Sequence, residues 1–383
     1  MKIVKVTPFL SSSNYGSGKV LGQPLGAKTL GFVEIETSEG VLGYGEAYCA
    51  IYAPESFIEV IKIFSDELVG EDALNPEFLY DRIHIPFVTR SGFFRSAYSA
   101  IDIALWDIKS KYEKKTIAGL ITIDQSKKKI KVYASGGSAA FTPKEIEEDV
   151  NTQISLGHNS YKMRVGFQSW ENDLERIEKA KNILGNSKEL MVDAIMGTIN
   201  PPWTIEIAKK QLKQVEKFNL TWIEEPLAPD NLLDYKELKT HISIPIAGGE
   251  ALSSKLDFES YISNQSVDYL QPDVTHCGGI TAAIRICKLA KKYGMKISMH
   301  VWGSSLAFAA NKEVALAFDN VHWLEEPTVS LDISKEFSFS KTIVEGELIA
   351  TEEFGLPFPD RKEILKKYPY IPGSGFKFPA RAK

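Results

Sequence analysis

From Lys129 onward the chain alternates between short apolar runs and segments of helical period. The runs with strand character are Lys131–Ser135, Ser160–Val165, Leu190–Asp193, Thr221–Glu224, Pro245–Gly249, Asp268–Asp273, Lys296–His300 and Val321–Glu325. Helical patterns such as Thr142–Leu156, Trp170–Leu184, Ile205–Phe218 and Thr281–Tyr293 separate them. Several of the runs are continuously apolar, as strands covered on both faces must be. Eight such units in roughly 200 residues predict an α/β fold built on a closed (β/α) barrel of the TIM type. A doubly wound open sheet is the alternative, but no Gly-x-Gly-x-x-Gly follows the first strand.

The residues outside the alternation read differently. Residues 1–10 have strand character, and a Ser- and Gly-rich loop with Tyr15 and Lys19 runs from Ser11 to about Ala27. Strands over Gly31–Thr37 and Val41–Ala47, joined by Ser38-Glu39-Gly40, form a hairpin. Residues 47–55, with Tyr48 and Tyr52, form a second candidate lid. Helices follow over Pro54–Leu68 and Ser96–Lys111, the second buried on most of its surface. The expected organisation is an N-terminal α+β unit at 1–128, the barrel at 129–330, and a Pro- and aromatic-rich tail at 331–383 that returns to the N-terminal unit.

Composition narrows the function classes. At 383 residues and 44% hydrophobic content the chain supports a barrel and one smaller domain. A net charge of −5, with short basic runs only, argues against nucleic-acid binding. The three cysteines show no paired spacing, so a reducing compartment is the default. With neither a signal-like apolar core nor a membrane-length run, the expectation is a soluble cytoplasmic protein with no membrane partner.

The ends of the strands carry the chemistry, because in such barrels the site lies on the C-terminal face. Asp193, Glu224 and Glu250 end three consecutive strands, separated by 31 (224 − 193) and 26 (250 − 224) residues. One acid in such a place reads equally well as a helix cap. Three on neighbouring strands offer a set of hard oxygen donors suited to Mg²⁺. The strand before them ends in Lys162-Met163-Arg164, with both cations on one side of the strand. The strands after them end in Asp273, His300 and Glu325. Asp273, one strand from His300, would orient its imidazole. Glu225 is expected to point away and form a structural ion pair, and His276 to be structural.

A carboxylate substrate lying on a divalent ion has acidified α-protons. Removing one gives an enediolate dianion that the metal and nearby cations stabilise. Lys162 and Arg164 could supply a base on one face, and the Asp273–His300 pair an acid or base on the other. Glu325, if protonated, could donate to a substrate carboxylate oxygen.

At these residues the chain resembles the enolase superfamily, and within it the mandelate racemase/muconate lactonizing enzyme family. The resemblance rests on Ala100-Ile101-Asp102-Ile103-Ala104-Leu105-Trp106-Asp107, Trp222-Ile223-Glu224-Glu225-Pro226, Gly249-Glu250, Gln271-Pro272-Asp273 with Gly278-Gly279, and His300. It implies a capping domain made from both chain ends over a modified barrel, with lids at 11–27 and 47–55. It also implies one Mg²⁺ per subunit on Asp193, Glu224 and Glu250, with Asp273 and His300 as the catalytic dyad. Glu325 matches the acid that hydrogen-bonds the substrate carboxylate, and Ser135 a position touching it. Tyr15 and Lys162 are further candidate substrate contacts. Homo-oligomers, from dimer to octamer, are the implied assembly.

Two positions depart from the family pattern. Arg164 stands where the second lysine of Lys-x-Lys, the usual base, is found. Arginine stays protonated, so Arg164 is expected to act mainly through its charge. Ile195 stands where a polar residue often follows the first metal ligand. A racemase needs two competent bases, whereas a syn dehydration needs one group that takes the α-proton and returns it to the leaving hydroxyl. The resemblance implies that most members with this dyad are acid-sugar dehydratases, so the expected reaction is Mg²⁺-dependent dehydration of an aldonate to a 2-keto-3-deoxy acid. A racemase or epimerase of a 2-hydroxy acid is the alternative, and a non-catalytic binding barrel the third reading.

Overall fold

The computed structural model describes residues 1–16, 26–123, 126–338 and 340–377. Lys19 and most of the first candidate lid, like the end of the tail, lie outside the described residues. The chain opens with an antiparallel sheet of β1 (Ile3–Asn14), β2 (Ala27–Thr37) and β3 (Leu42–Ala47), in the order β1-β2-β3. Helices α1 (Pro54–Leu68), α2 (Pro76–Arg82), α3 (Phe93–Glu113) and α4 (Ile117–Thr122) follow. Two glycines bring α3 onto β3, since a Cβ at Gly43 or Gly45 would run into the carbonyl oxygens of Ala104 and Ala100.

β1 extends past the end expected for it, and Ser11, Ser12 and Ser13 are strand residues paired with Leu30, Thr29 and Lys28. The polar triplet sits in a buried strand because each hydroxyl finds a distant partner. Ser11 Oγ donates to the Tyr368 carbonyl at 2.5 Å, Ser12 Oγ lies 2.8 Å from Thr29 Oγ1, and Ser13 Oγ accepts from the Ile333 N–H at 2.8 Å.

The barrel is a parallel run of eight strands: β4 (Lys129–Ser135), β5 (Ser160–Arg164), β6 (Glu189–Asp193), β7 (Trp222–Glu224), β8 (Ile246–Gly248), β9 (Tyr269–Leu270), β10 (Lys296–Met299) and β11 (Val321–Pro327). Pairing of β11 with β4 closes it. The outer layer is α5 (Pro143–Ser155), α6 (Trp170–Leu184), α7 (Ile205–Val215), α8 (Leu232–Lys239), α9 (Lys255–Asn264), α10 (Gly279–Lys292) and α11 (Ser305–Ala317). Inside, Tyr133, Met191, Trp222, Ala247 and Trp323 pack into a floor beneath the strand ends.

After β11 the chain forms β12 (Ile343–Val344) and β13 (Glu347–Ile349), and β13 adds antiparallel to β4. It then reaches the N-terminal sheet, where Phe358 stacks on Tyr44 at 4.3 Å and the Leu356 N–H donates to Asp107 Oδ1 at 2.6 Å. The last described helix is α12 (Arg361–Lys367). The barrel and its antiparallel cap are thus joined through α3. Its Asp102 accepts the Thr281 N–H of α10 at 2.8 Å, and its Trp106 donates to Thr281 Oγ1 at 2.9 Å.

Candidate active site

Strand register brings the charged ends to one level. Arg164 pairs with Asp193 across β5 and β6, and Asp193 with Glu224 across β6 and β7. Glu250 lies two residues beyond β8 and His300 one beyond β10. β9 is shorter than expected, and Asp273 lies three residues past it. Pro272 lacks an N–H for the ladder, and Asp273 instead accepts the Thr275 N–H at 2.8 Å and the Thr275 hydroxyl at 2.7 Å.

The acids and bases form one connected cluster. Lys162 is fully buried, with Nζ 2.7 Å from Glu224 Oε1 and 2.9 Å from Glu325 Oε1. Trp222 Nε1 donates to the other oxygen of Glu224 at 3.1 Å. His300 lies between Asp273, with Nδ1 2.9 Å from Oδ2, and Glu250, with Nε2 3.1 Å from Oε2. Arg164 donates to Ser135 Oγ at 3.0 Å and to the Gly136 carbonyl at 2.8 Å, and its Nε lies 3.8 Å from Asp193 Oδ2.

Proton affinities follow from this crowding. Burial, then repulsion from Glu224, pushes the Asp193 carboxyl up to about 8. Burial works to lower the His300 imidazole, but Glu250, Glu325 and the Asp273 bond together hold it well above its ordinary value. Burial opposes charge on Arg164 too, yet Asp193 and Glu325 outweigh it and keep the guanidinium protonated.

Glu325 differs from the expectation of a protonated donor. Burial would raise its carboxyl, but Lys162, His300 and Arg164 pull it down to about 2, so it is an ionised acceptor. Oε2 accordingly accepts the Val301 N–H at 3.2 Å. Glu225 also differs. It makes no ion pair among the described residues, and it is buried with Oε1 unpartnered. Burial and its neighbours Glu250, Asp193 and Glu224 push its carboxyl well up. His276 packs edge-on against Tyr48, with Nε2 3.2 Å from the Ala251 carbonyl.

A cavity of 110 Å³ opens over the cluster. Arg164, Asp193, Glu250 and His300 line its charged end. Tyr15, Tyr48, Tyr52, Trp302 and Phe376 form an aromatic wall, and Ile195, Thr198, Ala139, Ser138 and Val329 complete it. Lys162, Ser135, Glu224, Asp273 and Glu325 lie behind this lining rather than in it. A larger cavity of 380 Å³ touches Tyr15 and Lys28 but includes none of the strand-end acids at 193, 224 and 250. Trp302 and Phe376 carry no sequence motif of their own. Trp302 is legible only as the residue two after His300, and Phe376 arrives from the tail. Ile195 holds a left-handed φ of 46°, a strained conformation for a β-branched residue. That turn aims its N–H at Asp193 Oδ1, at 2.8 Å.

The donor chemistry fits a hard divalent cation. Three carboxylates end adjacent strands, and Asp193, with Lys162 and Arg164 no nearer than 3.9 and 3.8 Å, resists ionisation through burial and its neighbour Glu224. Among the described residues, three such side chains do not already stand as a closed metal shell. Glu224 and Glu250 are bonded to Lys162 and His300 instead.

Residues 145–358 match the enolase C-terminal domain-like family, and residues 22–122 match the mandelate racemase/muconate lactonizing enzyme N-terminal domain. The chain belongs to the mandelate racemase/muconate lactonizing enzyme family of the enolase superfamily. It is 29% identical to arabinonate dehydratase of Saccharolobus solfataricus over 340 residues, covering 88% of this chain and 89% of that one. It is 30% identical to 3,6-anhydro-alpha-L-galactonate cycloisomerase of Streptomyces coelicolor over 277 residues, covering 70% and 73%. The L-talarate/galactarate dehydratase structure from Salmonella typhimurium, liganded with Mg and L-lyxarohydroxamate, superposes with a TM-score of 0.83 at 25% identity. It covers 97% of this chain and 93% of that one. This family member thus has sugar-acid dehydratases and Mg-bound structures among its relatives. No helix among its described residues is long and apolar enough to cross a membrane.

Proposed function

We propose that the protein is a Mg²⁺-dependent hydro-lyase that converts an aldonate to its 2-keto-3-deoxy acid. One observation carries this reading. Among the described residues that line the cavity, the one imidazole is His300, backed by Asp273, and the cationic side chain beside it in the lining is the Arg164 guanidinium, with Lys162 behind them held by Glu224 and Glu325. Mg²⁺ held by Asp193, Glu224 and Glu250 would acidify the α-proton of a bound carboxylate and take up charge that otherwise keeps the proton on His300.

His300 Nε2, freed of that proton, takes the α-proton, and the electron pair moves into the substrate carboxylate. Asp273 on Nδ1 stabilises the imidazolium so formed. The pair then returns as the β C–O bond breaks, and Nε2 hands its proton to the departing hydroxyl, which leaves as water. The resulting enol ketonises. One base serves both transfers if α-proton and β-hydroxyl lie on the same face. Arg164, fixed by Ser135 and Gly136, offsets the charge building on the substrate carboxylate. The aromatic wall of Tyr15, Tyr48, Tyr52, Trp302 and Phe376 limits the access of water.

The cycloisomerase relative supports a second reading, in which the same proton abstraction leads to an isomer of unchanged mass. A panel of acid sugars, assayed with Mg²⁺ for keto acid and by mass for loss of water, separates the two. Keto acid with loss of water supports the hydro-lyase. An isomer of equal mass supports the second reading, and no turnover at substantial enzyme loading overturns both.

A further inference from the structure

Residues 300–304 carry the imidazole and one wall of the cavity, yet they lie between the end of β10 and the start of α11 in no regular structure. Besides the contacts of the imidazole with Asp273 and Glu250, two backbone N–H groups are anchored on the barrel. The His300 N–H donates to the Pro272 carbonyl at 3.1 Å, and the Val301 N–H to Glu325 Oε2 at 3.2 Å. Further anchors come from the cap. Lys28 of β2 donates from Nζ to the Trp302 carbonyl at 2.5 Å, and Trp302 Nε1 donates to the Tyr15 hydroxyl at 2.9 Å. Glu46 of β3 accepts the Ser304 N–H at 3.0 Å and the Ser304 hydroxyl at 2.5 Å.

Lys28 and Glu46 are 1% and 2% exposed. The Lys28 ammonium lies over the Trp302 ring at 4.1 Å and the Tyr15 ring at 4.8 Å. Charges in such a place are costly, and a packed apolar pair would dock the cap at least as stably. Burial works against both charges, pushing Lys28 down to about 7 and Glu46 up to about 7. What the charged pair adds is direction. A hydrogen bond fixes the Trp302 carbonyl, and another fixes the Ser304 amide, where an apolar contact would let both slide.

We propose that Lys28 and Glu46 are positioning residues of the cap, which set the pose of His300 by holding Trp302 and Ser304. Asp273 fixes the rotation of the imidazole, and the cap fixes the backbone from which it projects. The inference rests on His300 as the proton-transfer group of the proposed reaction. A displacement of about 1 Å at a proton-transfer group costs on the order of 10²-fold in rate, and leaves substrate binding less affected.

The test uses the full-length enzyme with Mg²⁺ and the aldonate it turns over best, in the variants Lys28→Met, Lys28→Arg and Glu46→Gln. A second readout needs no turnover: the low-field proton resonance of the His300–Asp273 hydrogen bond, assigned by its loss in His300→Asn. Lys28→Met is expected to lower kcat by about 10- to 100-fold with KM within about threefold, and to shift or broaden the resonance. Lys28→Arg should recover part of both. A folded Lys28→Met protein with wild-type kcat and an unmoved resonance overturns the inference. If Lys28→Met does not fold, Lys28→Gln, which keeps a neutral donor, is read by the same two measurements. Should the wild type turn over no acid sugar, the proposed function fails, and the resonance alone decides the positioning role.

Discussion

His300 Nδ1 lies 2.9 Å from Asp273 Oδ2, and the other oxygen of that carboxylate is already committed to the Thr275 N–H, the Thr275 hydroxyl and the Asn311 amide. Burial would raise the Asp273 carboxyl, but the His300 bond, with Thr275, holds it below the usual range. Asp273 is therefore ionised and unable to rotate. Replacing it with Asn preserves size while removing the charge that stabilises an imidazolium. Asp273→Asn should lower kcat by about 10²- to 10⁴-fold with a smaller effect on substrate-analogue affinity, read by steady-state kinetics beside calorimetry.

Arg164 at the end of β5 and His300 just past β10 line the same cavity, and Arg164 stays protonated, which predicts one-sided chemistry. Solvent deuterium should enter the α-position of only one substrate configuration in the wild type. Arg164→Lys places a group that can lose its proton on the second face. That variant should gain slow exchange from the other configuration while losing about tenfold or more in dehydration, because it gives up the fixed bonds to Ser135 and Gly136. Proton NMR in deuterium oxide follows both. Wild-type exchange from both configurations would instead mark an epimerase.

Asp102 makes the joint between α3 and α10 sensitive to pH. Burial, only partly offset by the Thr281 N–H, pushes its carboxyl up from 3.8 to about 7, and Oδ1 has no partner among the described residues. Between these values the folded chain keeps the proton and the unfolded chain has lost it. The native state binds more protons, so this group's contribution to stability falls as pH rises through that window. Asp102→Asn should flatten the slope. Urea midpoints measured across the window, in wild type and variant, check this.

Much of the barrel was legible because each strand is a short apolar run ended by a charge. Asp193, Glu224, Glu250 and His300 could be placed by counting to the ends of those runs. Features that depend on distant partners could not be placed in this way. Ser11 to Ser13 read as a loop, and they become strand through contacts with Thr29, Ile333 and Tyr368. Glu225 looked like an ion-pair residue, but the turn after β7 buries it beside the other acids. The charge state of Glu325 depends on Lys162, which arrives from a strand 163 residues earlier (325 − 162). Phe376 reaches the cavity only after the tail has crossed the cap. Arg164 and Ile195 were visible as departures from the family pattern. Their bonds to Ser135, Gly136 and Asp193 required the fold.

In the proposed reaction a single imidazole removes an α-proton and assists the loss of water from an aldonate. The most direct test is keto-acid formation from a panel of aldonates, with Mg²⁺, after chelation, and in His300→Asn. A 2-keto-3-deoxy acid is expected from at least one member, lost on chelation, restored by Mg²⁺ and abolished in His300→Asn. Keto acid formed at the wild-type rate by His300→Asn, or none formed from any aldonate at substantial enzyme loading, would contradict it.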